Sequence, residues 1–190
     1  MQQSCPGSHV SGVLYMTHTR LSISDLNAGD QARFVAALGF VFEGSPWIAE
    51  QAWAARPFTD VAHLHQALCA VMYAAPVERQ IALIAAHPDL AGKAAIAGTL
   101  TAESTREQAS VGLDRLSPAE FASFTQLNDA YRARFGFPFV ICVRQQTKDS
   151  ILAAFAARLE HTRSQEIVTA LDEIAQIAHL RLHDIVQHAG

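Results

Sequence analysis

Three places in this sequence hold side chains that do chemistry near neutral pH: His87 in "AAHPDLAGKAA", Ser104 and Glu107 in "ESTREQ", and Arg181 in "HLRLHD". Proline at position 88 disfavours helical backbone at the residue before it, so a helix arriving from Pro76 stops at or just before His87. The imidazole then sits at a helix end, either as a solvated ring facing the helix dipole or as an acid/base group. Ile167, Leu171, Ile174, Ala178 and Ile185 step by four, three, four and seven residues along one apolar stripe, and Arg181 fills its missing stop. A guanidinium on a buried face cannot shed its charge. It needs an anion, which is either a protein carboxylate or the carboxylate of a ligand, unless the side chain snorkels to water. Ser104 and Glu107 have the spacing of a capping box, but Thr101 competes as the cap one turn earlier. In that case both lie inside the helix as neighbours on one face, free for other work.

The elements that must position these groups read as helices throughout. Asn27 is placed to cap a helix carrying Phe34, Val35 and Leu38, which Gly39 closes. Ser45-Pro46 opens a second through Trp47 and Trp53, Thr59 precedes a third with Val61, Leu64, Leu68, Val71 and Met72 at helical spacing, and Pro76 opens a fourth. After His87 come a helix from Thr101, one from the "SPAEF" signal at Ser117 to Gly136, one through "ILAAFAARLE", and a long one from 164 to near 188. "FGFPFVICV" is apolar and β-branched, but no other segment alternates with period two to pair with it, so residues 135–143 read as a buried extended connector. The expected fold is all-α: a single-domain irregular bundle of about seven to nine helices over 20–190, behind a disordered tail at 1–19.

Composition narrows the function. A chain of 190 residues supports one sizeable core, and 50% hydrophobic with only 17% charged residues argues against disorder. The net charge of −4 supplies no basic field for nucleic acid, so Tyr131, Phe135, Phe137 and Phe139 read as core and pocket wall rather than as a base-stacking surface. No apolar run approaches the length of a membrane span. Cys5, Cys69 and Cys142 are widely spaced and odd in number, which fits reduced thiols in a cytoplasmic protein. His179 and His183 lie one turn apart with no third ligand motif and read as a solvated face, Trp47 and Trp53 as core, and Asp89 with Lys93 as a helix pair. "AGKAA" lacks the first glycine of a phosphate loop.

Three separated blocks, "HPDLAGKA", "LTAESTREQASVGLDRLSPAEFASFTQLNDAYRARFGFPFVICVR" and "EIAQIAHLRLHDIV", together resemble the 2-oxo-4-hydroxy-4-carboxy-5-ureidoimidazoline (OHCU) decarboxylases of urate degradation. The resemblance covers about residues 26–186 and implies an all-helical, cofactor-free, dimeric carboxy-lyase that forms (S)-allantoin, functionally coupled to a 5-hydroxyisourate hydrolase. It implies His87, Glu107 and Arg181 as catalytic. Pro88, Ser104, Phe139, Val140, Ile141, Cys142 and Val143 join Glu107 and Arg181 around the substrate. The chemistry of such a substrate agrees: its carboxylate sits beside a ring imine that takes up the electrons released with carbon dioxide. The protein then needs a carboxylate anchor, for which an arginine fork suits, and a group that moves protons near neutral pH. His87 would take the 4-hydroxyl proton or relay one to the carbanion-like carbon, and Glu107 with Ser104 would orient the ureido and ring N–H groups. The competing reading is a non-catalytic helical module that uses Arg181 to hold an anionic ligand or a partner helix. Cys5, His9 and His18 match no zinc spacing. A chain starting at Met16 is therefore expected to melt at the same temperature as the full chain and to turn over equally fast, with a chelator changing neither. Calorimetric melts and rates on both forms check this.

Overall fold

In the computed structural model, which describes residues 20–92 and 98–187, caps and prolines cut the chain into nine α-helices. They are α1 (Ile23–Ala28), α2 (Gln31–Leu38), α3 (Trp47–Ala52), α4 (Val61–Ala74), α5 (Val77–Ala85), α6 (Ala102–Ser110), α7 (Pro118–Phe135), α8 (Lys148–Arg158) and α9 (Arg163–Ile185). Among the described residues there is no strand. One bridge between Leu21 and Val186 ties the two ends of the described chain together, through Leu21 N–H to Ile185 O at 2.9 Å and Gln187 N–H to Leu21 O at 2.8 Å. No single helix among them is long and apolar enough to cross a membrane. The all-α expectation holds. The expected tail at 1–19, Lys93 with "AGKAA", and residue 188 at the end of the last helix lie outside the described residues.

The long helix α9 is the spine, packed against both α4 and α5. Its apolar stripe of Ile167, Leu171, Ile174 and Ala178 is buried, and Leu64, Leu68, Met72 and Ile84 are buried on the facing helices. A second part of the core is aromatic: Tyr131 contacts Phe135, Phe137, Phe139 and Phe155, and Phe139 stacks on Phe155 at 3.7 Å between centroids. Burying rings of this size is the largest apolar contribution a small domain can make per residue.

Local chemistry sets the helix ends, with some departures from expectation. Ser117 and Glu120 close a reciprocal capping box at α7, and Gly136 ends that helix in the left-handed region (φ 81°), where a side chain would be strained. Asp30 rather than Asn27 caps α2. Asn27 belongs to a short helix that the sequence reading missed, and its amide spans the N–H and C=O of Phe58, both at 2.8 Å. Asp60 rather than Thr59 caps α4, and with the short helix at Ile23–Ala28 five helices, not the expected four, precede His87 among the described residues. Trp47 and Trp53 are half-buried at the edge of the core, with Arg79 and Arg56 over their rings, because an indole tolerates a wet face that a cation can occupy.

Thr101 settles the competing caps of α6: its hydroxyl accepts from Ser104 N–H at 3.2 Å, which places Ser104 and Glu107 inside the helix. Thr101→Ala is expected to cost about 1 kcal/mol of stability, the usual loss for an N-cap. Denaturant titration, with the slope unchanged and the midpoint lowered, checks it.

Candidate active site

His87 follows the last turn of α5, where its N–H still donates to Ile84 O at 3.1 Å. The proline stop is as expected, but the ring is buried rather than solvated. Its Nδ1 lies 3.0 Å from Leu83 O, and a carbonyl can only accept, so Nδ1 carries the hydrogen and Nε2 keeps a lone pair. Burial pushes the imidazole down to about 4. The Leu83 carbonyl and the charge of Glu43 work against that shift, and the charge of Arg181 reinforces it. At neutral pH His87 is therefore an uncharged base with a fixed tautomer. The turn that follows it is pinned by Gln108 Oε1, which accepts from Ala91 N–H at 2.9 Å, and by Asn128 Nδ2, which donates to Leu90 O at 2.9 Å. Asp89 pairs with Arg132.

Arg181 is buried, as its place in the stripe requires, and its anions are protein carboxylates. Glu107 receives its fork, Nε to Oε1 and Nη2 to Oε2, both at 2.8 Å. Nη1 donates to Glu43 Oε2 at 3.1 Å and to the carbonyls of Phe40 and Val41. Ser104 Oγ donates to Glu43 Oε2 at 3.3 Å and lies 3.5 Å from Arg181 Nη2. Burial opposes the guanidinium charge, but the bonds and charges of Glu107 and Glu43 outweigh it and raise the pKa of Arg181. The fork expected to hold a ligand carboxylate is thus spent on Glu107. Its most weakly engaged edge is the Nη2–H beside Ser104.

The expected connector at 135–143 is buried at 137–142 without regular secondary structure, but its ends differ: Phe135 closes α7, Gly136 is exposed and Val143 opens a 3-10 turn. The stretch forms one wall of a pocket of about 460 Å3, its opening included. His87, Pro88, Ser104, Glu107 and Arg181 line this space together with Phe139, Val140, Ile141, Cys142 and Val143, so the structure brings all the sequence-derived candidates to one place. Burial raises the Cys142 thiol to about 11, which keeps it neutral and makes it wall rather than nucleophile. The N–H of Cys142 donates to Glu173 Oε2 at 2.8 Å, whereas the N–H of Ile141 meets no protein acceptor among the described residues. Sequence reasoning missed Glu43, Gln108 and Arg144. Glu43 is a lone acid in an apolar turn with no periodicity to mark its face, although an acid inside "GFVFEG" is itself a signal. Gln108 follows Glu107 directly, and Arg144 at the pocket edge pairs with Asp184 at 2.6 Å. Outside the pocket, His179 packs edge-on against His65 and His183.

A largely apolar pocket that holds a neutral imidazole and an ion-paired carboxylate, on an all-α fold, has the make-up of a site for a small polar molecule. The family model described as OHCU decarboxylase matches residues 27–183. The chain is 44% identical over 167 residues to the 2-oxo-4-hydroxy-4-carboxy-5-ureidoimidazoline decarboxylase of Halalkalicoccus jeotgali, covering 88% of this chain and 93% of that one. It is 41% identical to the uric acid degradation bifunctional protein PucL of Bacillus subtilis over 89% of this chain, and spans 33% of that protein. The fold is similar to a crystal structure of (S)-allantoin synthase, with a TM-score of 0.69 and 29% identity over 88% of this chain and 54% of that one. It is also similar to one of OHCU decarboxylase in the presence of (S)-allantoin, with a TM-score of 0.60 and 19% identity over 82% and 97%. The chain belongs to the OHCU decarboxylase family.

The lowered His87 pKa has two consequences with definite signs. Between about 4 and the ordinary histidine value of about 6.5 the unfolded chain binds the proton that the folded chain refuses, so His87 contributes stability above pH 6.5 that is lost as pH falls toward 4. His87→Gln is expected to flatten that part of the stability profile, as measured by denaturant titration at several pH values. The acid limb of kcat/KM, which reports the free enzyme, is expected well below 6.5. A limb at 6.5 or above would show that the buried imidazole is not the base.

Proposed function

We propose that this chain is a carboxy-lyase converting OHCU to (S)-allantoin in urate degradation, with His87 moving the proton and the Arg181–Glu107 pair holding the substrate. The observation that carries this reading is the neutral, tautomer-fixed His87 in the same pocket as that pair. Loss of carbon dioxide from C4 sends its bonding electrons toward the adjacent imine, whose nitrogen takes up one proton and leaves an enol across C4 and C5. The enol becomes product when its hydroxyl proton leaves and the carbon bearing the ureido group gains one. His87 Nε2 suits both halves of that transfer: it is free to accept the hydroxyl proton, and burial makes the resulting imidazolium a ready donor to carbon. No external electron sink enters this scheme, because the imine supplies it.

Arg181 acts mainly through Glu107. With each carboxylate oxygen held by one guanidinium N–H, Glu107 keeps a second lone pair on each for the ureido and ring N–H groups, and that orientation selects the face of carbon that is protonated. The substrate carboxylate is met by the Arg181 charge at its Nη2 edge beside Ser104 and by the backbone of residues 139–143. The Bacillus relative is a bifunctional uric acid degradation protein by name, which supports coupling of this domain to another step of that degradation; the proposed source of the labile substrate is a 5-hydroxyisourate hydrolase. A cytoplasmic homodimer completes the proposal.

The test generates the substrate from urate enzymatically and follows optically active allantoin by circular dichroism. The wild-type chain is expected to accelerate its appearance and enforce one hand. His87→Gln is expected to lower kcat/KM by about 100-fold or more with its helical signal intact, the usual share of a general base. A folded variant within a few-fold of wild type would remove His87 from that role. Arg181→Lys keeps the charge but loses the fork, and a loss of about 10- to 100-fold is expected as Glu107 shifts. Equal kinetic constants for lysine and arginine would leave Arg181 only a structural counter-charge.

A further inference from the structure

The wall of the pocket at residues 137–142 has no regular secondary structure to hold it, yet the proposed function asks it to keep a backbone donor in fixed register. Two polar contacts reach it from outside the pocket. Arg158 Nη1 donates to Val140 O at 2.8 Å, and Glu173 Oε2 accepts from Cys142 N–H at 2.8 Å. The carbonyl of residue 140 and the N–H of residue 141 belong to one planar trans peptide and point in opposite directions, so holding Val140 O from outside the pocket turns the Ile141 N–H to the other side. Ile141, the residue between the two fixings, lines the pocket, and its N–H has no protein acceptor among the described residues.

Arg158 is itself held with unusual completeness. Its Nε donates to Glu166 Oε1 at 2.7 Å, its Nη2 donates to the same oxygen, and its guanidinium lies over the Phe139 ring at 4.4 Å. Glu166 is fully buried and is further engaged by the Tyr131 hydroxyl and by His161 Nδ1. A buried ion pair of this kind is poor value for stability alone, since apolar residues of similar volume often serve as well. It is well suited to holding a carbonyl at a set distance.

We propose that Arg158 and Glu173 are positioning residues that clamp residues 140 and 142, so that the Ile141 N–H is presented to the substrate. This rests on the reading of the pocket as the OHCU site, and the two can fail separately. Glu173 is only partly buried, so Glu173→Ala is expected to fold normally while removing one jaw of the clamp. In the allantoin assay it is expected to raise KM by about tenfold with kcat within about threefold of wild type, the effect of loosening one ground-state hydrogen bond. Glu173→Gln retains an acceptor for Cys142 N–H and is expected to stay within about threefold of wild type in both constants. Amide hydrogen exchange on the free protein provides a readout independent of activity: the peptide spanning 137–143 is expected to exchange faster in Glu173→Ala and at the wild-type rate in Glu173→Gln. Arg158→Lys, which cannot reach Val140 O and both Glu166 bonds together, is expected to reproduce the KM effect where it folds. An inactive wild type would fail the functional reading and leave the exchange result to judge the clamp. Wild-type KM and exchange in a folded Glu173→Ala, or equal impairment in the alanine and glutamine variants, would overturn it.

Discussion

A guanidinium taken out of water costs several kcal/mol unless anions meet it, and much of this structure is arranged around that requirement at Arg181. Its partners come from two places far apart in the chain: Glu107 on α6, and the turn after α2, which supplies Glu43 and the Phe40 and Val41 carbonyls. Satisfying one side chain on α9 therefore fixes where α6 and the α2–α3 turn must lie. Glu107 acquires its orientation from this arrangement. The residue proposed to touch substrate and the residue that makes it rigid belong to different helices, which converts a flexible glutamate into a fixed acceptor.

The same helix carries the other polar fixings. Glu166, Glu173 and Arg181 fall seven and eight residues apart, which at 3.6 residues per turn keeps them on one side of α9 over roughly 22 Å. Glu166 holds Arg158, Glu173 holds the Cys142 N–H, and Arg181 holds Glu107. Between them the stripe is apolar and packs on α4 and α5. A single rigid rod thus references the back of the pocket, its backbone wall and its carboxylate to one another. That explains how a site half built from irregular backbone keeps its geometry on a fold without sheets.

Much of this was legible in the sequence because its cues are local. The proline after His87, the Ser117 box with Pro118 and Gly136, and the break in the α9 stripe at Arg181 each act within a turn or two, and each is where the sequence places it. The short helix at Ile23–Ala28 was hidden because Asn27, a good cap by type, spends its amide on Phe58, thirty-one positions away. Glu43 was hidden for a related reason: nothing local distinguishes a solvated turn acid from one folded onto a buried arginine. The partners of Arg181 were the part that spacing could not decide. Periodicity buries the guanidinium without saying whether protein or ligand answers it, and the answer is two protein carboxylates.

That answer bears on how the imidazole works. Glu43 favours a charged His87 and Arg181 disfavours it, while burial disfavours it most, so the resting ring is neutral although the Glu43 carboxylate acts on it and Glu107 lines the same pocket. Each carboxylate is already bound to the guanidinium, and their pull on a second cation is correspondingly blunted. Without Arg181 the pull of Glu43 on the imidazole would go unopposed by a charge, leaving burial alone to hold the ring neutral. The buried arginine therefore does more than brace Glu107: its charge adds to burial in holding His87 neutral with Nε2 free, the state that the proposed proton transfer requires.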